Sequence, residues 1–470
     1  MVRELCAGGR SAVRRGDDGD AGRHRVAHRG SRRARHLRSA LRRRRRHRRS
    51  RQERAHRGAT IADSAHRPPR RHARRPRGDT VSLSEATPSR RFIGARQEGR
   101  QSYWRRLDWW LLGAALVLST ASSVFVWSAS RSDLAGDDPQ YFLNRHLVNI
   151  AIGLVLAFIV SRLDYRLLRA YAPVLYGLAI VGILLVYTPL GTTIAGARAW
   201  VQVPGGFTLQ PSEFAKVAIV LILAVVLAEK RDAEAEPRDR DVALALGLAA
   251  IPIGLVLLQN DTGTVLIMCT VVVTMVAVSG ARTRWVAGLL VGGATAAVIA
   301  WQLGFVKDYQ IARLTSFVNP DEAASTAAYN ATQARIAIGG GGLWGRGLFQ
   351  GPQTQGNFVP VNESDFIFTV IGEEAGFIGA AITILLLSII LWRGMRIALG
   401  AGELYGRLVA AGVVAWLAFQ TFENIGMNLG IMPITGVPLP FVSYGGTSMF
   451  ASWIALGLLE NVRLHQQQQS

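Results

Sequence analysis

Ser212 to Glu229 reads SEFAKVAIVLILAVVLAE, and its only charged residues are Glu213, Lys216 and Glu229. A helix of that length rises about 27 Å at about 1.5 Å per residue, close to the thickness of a bilayer's hydrocarbon core. Pro211 and Ser212 suit the first turn, where the N–H that proline lacks has no helical partner in any case. Outward from it, comparable apolar runs recur at about 108–128, 146–161, 171–188, 241–258, 263–280, 285–303, 366–392, 406–427 and 441–461. Ten segments of this kind predict an all-α polytopic membrane protein with about ten transmembrane helices.

Charge is distributed unevenly along the 470 residues, whose formal net charge is +22. Residues 1–110 hold 33 Arg and 10 acidic residues, a balance of +23, while the remaining 360 stand at −1. The basicity therefore belongs to one tail, and a nucleic-acid-binding body is excluded. Residues 1–87 are low-complexity Arg, Gly, Ala and His text, including Arg42 to Arg46, with no periodicity from which a core could form. They read either as a disordered cytoplasmic tail that meets anionic surfaces or as Arg-rich text upstream of a true start near Val81. No apolar segment follows at the distance a signal peptide requires. Residues 88–107 read as a cytoplasmic juxtamembrane segment, 108–463 as the membrane domain and 464–470 as a short tail.

Lysine and arginine in alternate loops set the orientation. One set of loops carries thirteen, from Arg162 to Arg463; the other carries seven, four of them in the long segment at about 304–364. Both termini are therefore expected in the cytoplasm. The 304–364 loop and the loops around Arg198 and Pro433 are expected outside. Cys6 and Cys269 form no disulfide framework. Seven of the nine histidines precede residue 73, leaving His146 and His465, which argues against a histidine triad or a zinc site in the body. Chemistry must then come from carboxylates and hydroxyls.

The outer loop is too long for a simple connector. It contains Asp308, Tyr309, Gln310 and the run Gly339–Gly342, and ends in Asn362-Glu363-Ser364-Asp365 before the apolar FIFTVIG. Asp365 thus stands where water meets an apolar segment. Partial desolvation there raises a carboxyl toward general-base duty, whereas the structural alternative is a capping acid on the helix dipole. Glu213 and Lys216, three apart, share a helix face as an ion pair or as site residues. Asp261 in QNDTGT, Glu373 and Glu374 in IGEEAG, and Glu423 with Asn424 in FENIGMN are likewise packing contacts or site residues. Arg198 and Arg335 suit a phosphate or simply solvent. In ITGVPLPFVSYGGTSM (434–449), Pro438, Pro440, Gly445 and Gly446 break the backbone around Ser443. Broken backbone at membrane depth requires surrounding protein or a water-filled cavity, a feature that also fits a transporter.

These blocks in order, GARAWVQVPGGFTLQPSEFAK (196–216), QNDTGT (259–264), YQIARLTSFVNP (309–320), YNATQARIAIGGGGLWGRGL (329–348), DFIFTVIGEEAGFIG (365–379) and NIGMNLGIMPITGVPLPFVSYGGTSM (424–449), closely resemble the SEDS family of bacterial membrane proteins. The resemblance runs from about Trp109 to Arg463, and the last block is more similar to the rod-shape, elongation-type member than to the division-type member. It implies a plasma-membrane glycosyltransferase that polymerises lipid II, the undecaprenyl-pyrophosphoryl disaccharide-pentapeptide, on the outer face. By that resemblance Asp365 is the essential aspartate and general base. Arg198, Lys216 and Arg335 are candidates to face the leaving pyrophosphate, Glu213 orients Lys216, and Asp261, Glu373 and Ser443 are further substrate-binding candidates. A divalent cation, Mg or Mn, is a candidate cofactor. The implied partners are a class B penicillin-binding protein and elongation-complex membrane proteins, with no nucleic acid. The chain departs from the family at Val361, where a Glu is usual, with Glu363 nearby, and at Asn260, where a Pro is usual. Two other classes of function fit some of the same features: a lipid II flippase, and a non-catalytic scaffold for a penicillin-binding protein.

Overall fold

The computed structural model describes residues 105–131, 140–194, 197–203, 207–229, 237–304, 310–311, 313 and 326–469. The basic tail, Val81, Asp308 and Tyr309 lie outside the described residues. The helices are α1 (Trp109–Ser130), α2 (Tyr141–Arg162), α3 (Tyr165–Leu185), α4 (Pro211–Ala228), α5 (Asp239–Leu258), α6 (Thr262–Val278), α7 (Thr283–Gln302), α8 (Thr326–Gly340), α9 (Pro352–Gln355), α10 (Ile367–Glu374), α11 (Gly376–Gly400), α12 (Leu404–Leu429) and α13 (Gly446–Gln469). Between α3 and α4 lies an antiparallel meander of β1 (Gly191–Ile194), β2 (Ala197–Val203) and β3 (Phe207–Leu209), with Val201 paired to both Gly191 and Leu209.

Eight helices, α1 to α5, α7, α11 and α12, are long and apolar enough to cross a membrane; α6 is apolar but shorter. Their ends follow local chemistry. Asp108, Asp164 and Asp261 accept hydrogen bonds from first-turn amides of α1, α3 and α6, and α12 ends at Gly430 in the left-handed conformation. α4 and α12 are the most buried spans and form the centre, whereas no residue of α7 is buried. α2 and α13 approach closely because Gly153 faces the Trp453 ring and Gly457 faces the Ala157 backbone. Asn461 of α13 donates to the carbonyls of Val160, Ser161 and Leu163, closing the end of α2. At the same end Asp108 pairs with Arg393 and with Arg463 at 3.3 Å, and its N–H donates to Glu460 at 2.9 Å.

Two expected segments differ. The run 366–392 is two helices, α10 and α11, broken at Ala375–Gly376, and α11 continues to Gly400. The run 441–461 becomes helical only at Gly446, because Pro438 and Pro440 remove amide donors ahead of it. At the α10–α11 break the glycine-rich stretch of the long loop supplies the missing partners. Arg346 N and Gly347 N donate to the last carbonyls of α10, on Glu373 and Glu374, at 2.9 and 3.0 Å. Phe377 N and Ile378 N at the start of α11 donate to the Gly342 and Leu343 carbonyls at 2.9 and 3.2 Å. Gly376 has φ +67°, and a Cβ there would lie 2.3 Å from the Gly345 nitrogen. Gly376→Ala is therefore expected to destabilise the folded protein by at least about 2 kcal/mol, seen as a lowered thermal midpoint in detergent.

Candidate active site

Asp365 sits in a tight knot just before α10. The amides of Ser364, Asp365 and Phe366 all point at the Val361 carbonyl, at 3.3, 3.2 and 3.4 Å, and Val361 has φ +57°. The residue capping α10 is Phe366, and the Asp365 carboxylate accepts from the Ser364 hydroxyl at 2.9 Å, not from helix amides. The capping alternative raised by the sequence is thereby removed. The carboxylate instead lies against Gly436, where a Cβ would be 3.2 Å from Oδ2.

Side chains of the central helix hold the knot. Asn424 and Asn428 of α12 both donate to the Asp365 carbonyl, at 2.8 and 3.2 Å, and Asn424 also donates to the Val437 carbonyl at 2.7 Å. Ser443 donates to the Ser364 carbonyl and accepts from Leu439 N at 2.7 Å, while Tyr444 N donates to the Glu363 carbonyl at 2.9 Å. The broken segment 433–445 thus wraps the aspartate junction. Ser443 is buried and committed to backbone partners, which leaves it as a brace instead of the substrate contact expected from the sequence.

Asp365 is half-buried, and loss of water pushes its carboxyl up to about 6. The Ser364 hydrogen bond and the charge of Arg313 act in the opposite direction, and the negative charge of Asp261 adds to the rise. Asp261 itself caps α6, accepting from Thr264 N at 3.1 Å and from Gln210 Nε2 at 3.0 Å. It belongs to the site through its field and its neighbours.

The other candidates separate clearly. Lys216 is fully buried, with Nζ 2.8 Å from Glu213 Oε1, 2.9 Å from Gln420 Oε1 and 4.8 Å from the Trp416 ring centroid. Gln420 in turn donates to the Pro438 carbonyl at 2.8 Å. Lys216 is therefore a cation paired with Glu213 inside the bundle, which corrects its expected place at a phosphate. Arg198 is exposed on β2 and donates to the Thr188 carbonyl at 2.9 Å. Arg335 is exposed on α8, its stem against Gly430 at the end of α12, and its neighbour Ala334 packs with Val359, Phe366 and Ile434 beside the aspartate knot. Glu373 is turned into the long loop and caps α9, which removes it as a substrate contact. Arg145, one of the seven cations in the loops expected outside, hydrogen-bonds Tyr444 beside Glu363, and its position one turn into α2 was the available signal. Among the described residues no group of three or more His, Cys, Asp and Glu could hold a metal ion.

Comparison with known proteins agrees with this architecture. The family model for the cell cycle proteins FtsW, RodA and SpoVE matches residues 108–468. Stage V sporulation protein E of Bacillus subtilis is 37% identical over 358 residues, covering 76% of this chain and 96% of its own. The peptidoglycan glycosyltransferase MrdB of Escherichia coli K12 is 33% identical, over 78% of this chain and 96% of its own. A chain from a structure described as the structural coordination of polymerization and crosslinking by a peptidoglycan synthase complex superposes with a TM-score of 0.64 at 30% identity, covering 77% of this chain and 99% of that one. The rod shape determining protein RodA of Thermus thermophilus matches with a TM-score of 0.57 at 32% identity, over 77% and 97%. Fold and relatives define a multi-pass glycosyltransferase of the bacterial plasma membrane. The chain belongs to the FtsW/RodA/SpoVE family, the SEDS proteins.

The buried Lys216 pair gives a direct test of its structural role. Lys216→Ala strands the Glu213 charge in the core and is expected to cost about 3–5 kcal/mol, while the double replacement Glu213→Leu with Lys216→Met costs markedly less. Thermal unfolding of the purified variants measures both.

Proposed function

We propose that this chain polymerises lipid II into glycan strands on the outer face of the plasma membrane, in wall elongation, with Asp365 as the general base. The observation that carries the reading is the Asp365 carboxylate: half-buried, raised to about 6 and not used as a helix cap. A carboxylate with a pKa near working pH is mostly ionised yet accepts a proton readily. In the proposed step it takes the proton of the acceptor sugar's 4-hydroxyl as that oxygen attacks the donor's anomeric carbon. The bond from that carbon to the pyrophosphate oxygen breaks with inversion, and the lipid pyrophosphate leaves with the electron pair. Arg313, whose charge acts on Asp365, Arg335, exposed near the knot, and Arg145, bonded to Tyr444 beside Glu363, are the cations available to meet that charge.

Further features support the substrate and setting. An apolar cavity of about 500 Å³ between α2, α3, α4 and α13, lined by Leu168, Leu178, Leu209, Phe214 and Leu458 among others, suits part of a polyprenyl chain. The excess of Lys and Arg in one set of loops favours an outward-facing Asp365. The wording NIGMNLGIMPITGVPLPF favours the elongation-type role, although relatives of both division and elongation type match. The complex described for one structural neighbour supports a cross-linking penicillin-binding protein as partner, alongside other elongation-complex proteins.

The test is glycan polymerisation from purified lipid II by the full-length chain co-purified with its penicillin-binding partner. Asp365→Asn is expected to lower the rate by about 10²-fold or more while leaving thermal stability near that of the wild type. Wild-type rates from the folded Asn variant would remove Asp365 from the chemistry and turn attention to the flippase or scaffold readings.

A further inference from the structure

Glu373 and Glu374 lie at the end of α10, 1% and 2% exposed, where an uncompensated charge is costly. Neither points toward Asp365. Glu373 Oε1 accepts from Gln353 N at 2.8 Å, and its Oε2 accepts from Thr354 N at 2.9 Å and Thr354 Oγ1 at 2.6 Å. Glu374 Oε1 accepts from Phe349 N at 3.2 Å and from the Ser128 hydroxyl of α1. The long loop is thus fastened to α10 by side chains as well as by the backbone bonds at Arg346 and Gly347.

The connectivity gives that fastening a consequence. From Thr354 the chain runs through the knot to Asp365, then along α10 and back to Glu373, whose carboxylate holds Thr354. The segment is a closed ring with Asp365 on it. Val359 and Phe366, on opposite sides of the knot, pack with Ala334 and Ile434 beside it. Position 351 is shaped to the same end: a Cβ there would lie 2.6 Å from Glu373 Oε2, so only glycine lets the carboxylate reach the loop.

We propose that Glu373 is a positioning residue that, by closing this ring, holds residues 352–361 over the aspartate knot and keeps water from Asp365. The inference rests on the general-base reading of Asp365. The charged groups acting on that carboxyl are Asp261 at the start of α6 and Arg313, whereas the donors held by Glu373 belong to Gln353 and Thr354, so opening the ring acts on Asp365 through its cover and its hydration.

The test uses the full-length chain with its partner and two variants that open the ring from opposite sides. Glu373→Gln keeps one acceptor oxygen and turns the other into an NH2 donor, so it cannot accept from both Gln353 and Thr354, and Gly351→Ala pushes the loop off an intact carboxylate. Hydrogen exchange at the Gln353 and Thr354 amides reads the clasp itself and is expected to accelerate about tenfold or more in each variant. Per folded molecule, kcat is expected to fall about tenfold with KM for lipid II within about threefold, and the acid limb of the rate is expected to move down by about half a pH unit or more as Asp365 regains water. Exchange that does not accelerate overturns the clasp. Exchange that accelerates while kcat and the acid limb stay at wild-type values overturns the positioning role and leaves Glu373 as scaffolding. Full activity in Asp365→Asn overturns the base instead, and the exchange result still decides the clasp on its own.

Discussion

Asn424 donates one side-chain amide to two carbonyls, those of Asp365 and Val437, and the arrangement of the site depends on that bifurcation. A bilayer offers no water to peptide groups, so a chain that leaves helical geometry inside it must find every partner within the protein. The segment from Pro433 to Gly445 leaves helical geometry, as do the residues just before α10. Asn424, wholly buried in the central helix α12, joins the two irregular pieces. Asn428, Ser443 and Tyr444 N add the remaining bonds, and Gln420 below them ties Pro438 to the Lys216–Glu213 pair. The polar interior is a continuous brace running from an internal ion pair to the aspartate knot. After the brace is satisfied, the Asp365 carboxylate keeps one hydroxyl donor among the described residues and a partly open face.

The same rule governs the long loop. The break between α10 and α11 leaves carbonyls at one helix end and amides at the next, and residues 342–347 meet both sets. Glycine at 345 and 376 permits the approach, which is why a glycine-rich stretch far along the chain belongs to the membrane helices and not to the solvent. Two carboxylates buried at this break serve the loop. A third, Asp365, lies a short distance along the chain, ahead of α10 and apart from this clasp. What separates them among the described residues is the number of donors each has: Glu373 accepts from three, whereas Asp365 accepts from one.

Much of this was legible in the amino acids, and the misses have a common cause. The apolar runs located every membrane-length helix, Pro211 marked the start of α4, and the prolines and glycines of 433–446 marked broken backbone. Asp365 stood out by its position before FIFTVIG. The break at Gly376 did not, because a glycine in an apolar run reads as a packing contact until Gly345, thirty-one residues earlier, is brought against it. The resemblance made Lys216 a candidate for the pyrophosphate, and spacing reveals its pairing with Glu213 but not the closure around it by Gln420 and Trp416 from another helix. Glu373 and Ser443 failed as substrate contacts for the same reason: their partners, Thr354 and the Ser364 carbonyl, come from distant sequence. Periodicity reports which residues are buried, and only the fold reports who meets them.

The central claim is that a single carboxylate, lifted by its surroundings, performs the proton transfer. The pH dependence of kcat/KM for lipid II polymerisation by the wild-type chain tests it most directly. Ionised Asp365 is the active form, so the rate should rise with pH and reach half its plateau at about 6. A rate that stays level down to the ordinary aspartate range, near about 4, would contradict the account, because the group that limits the reaction would then not be a desolvated carboxylate.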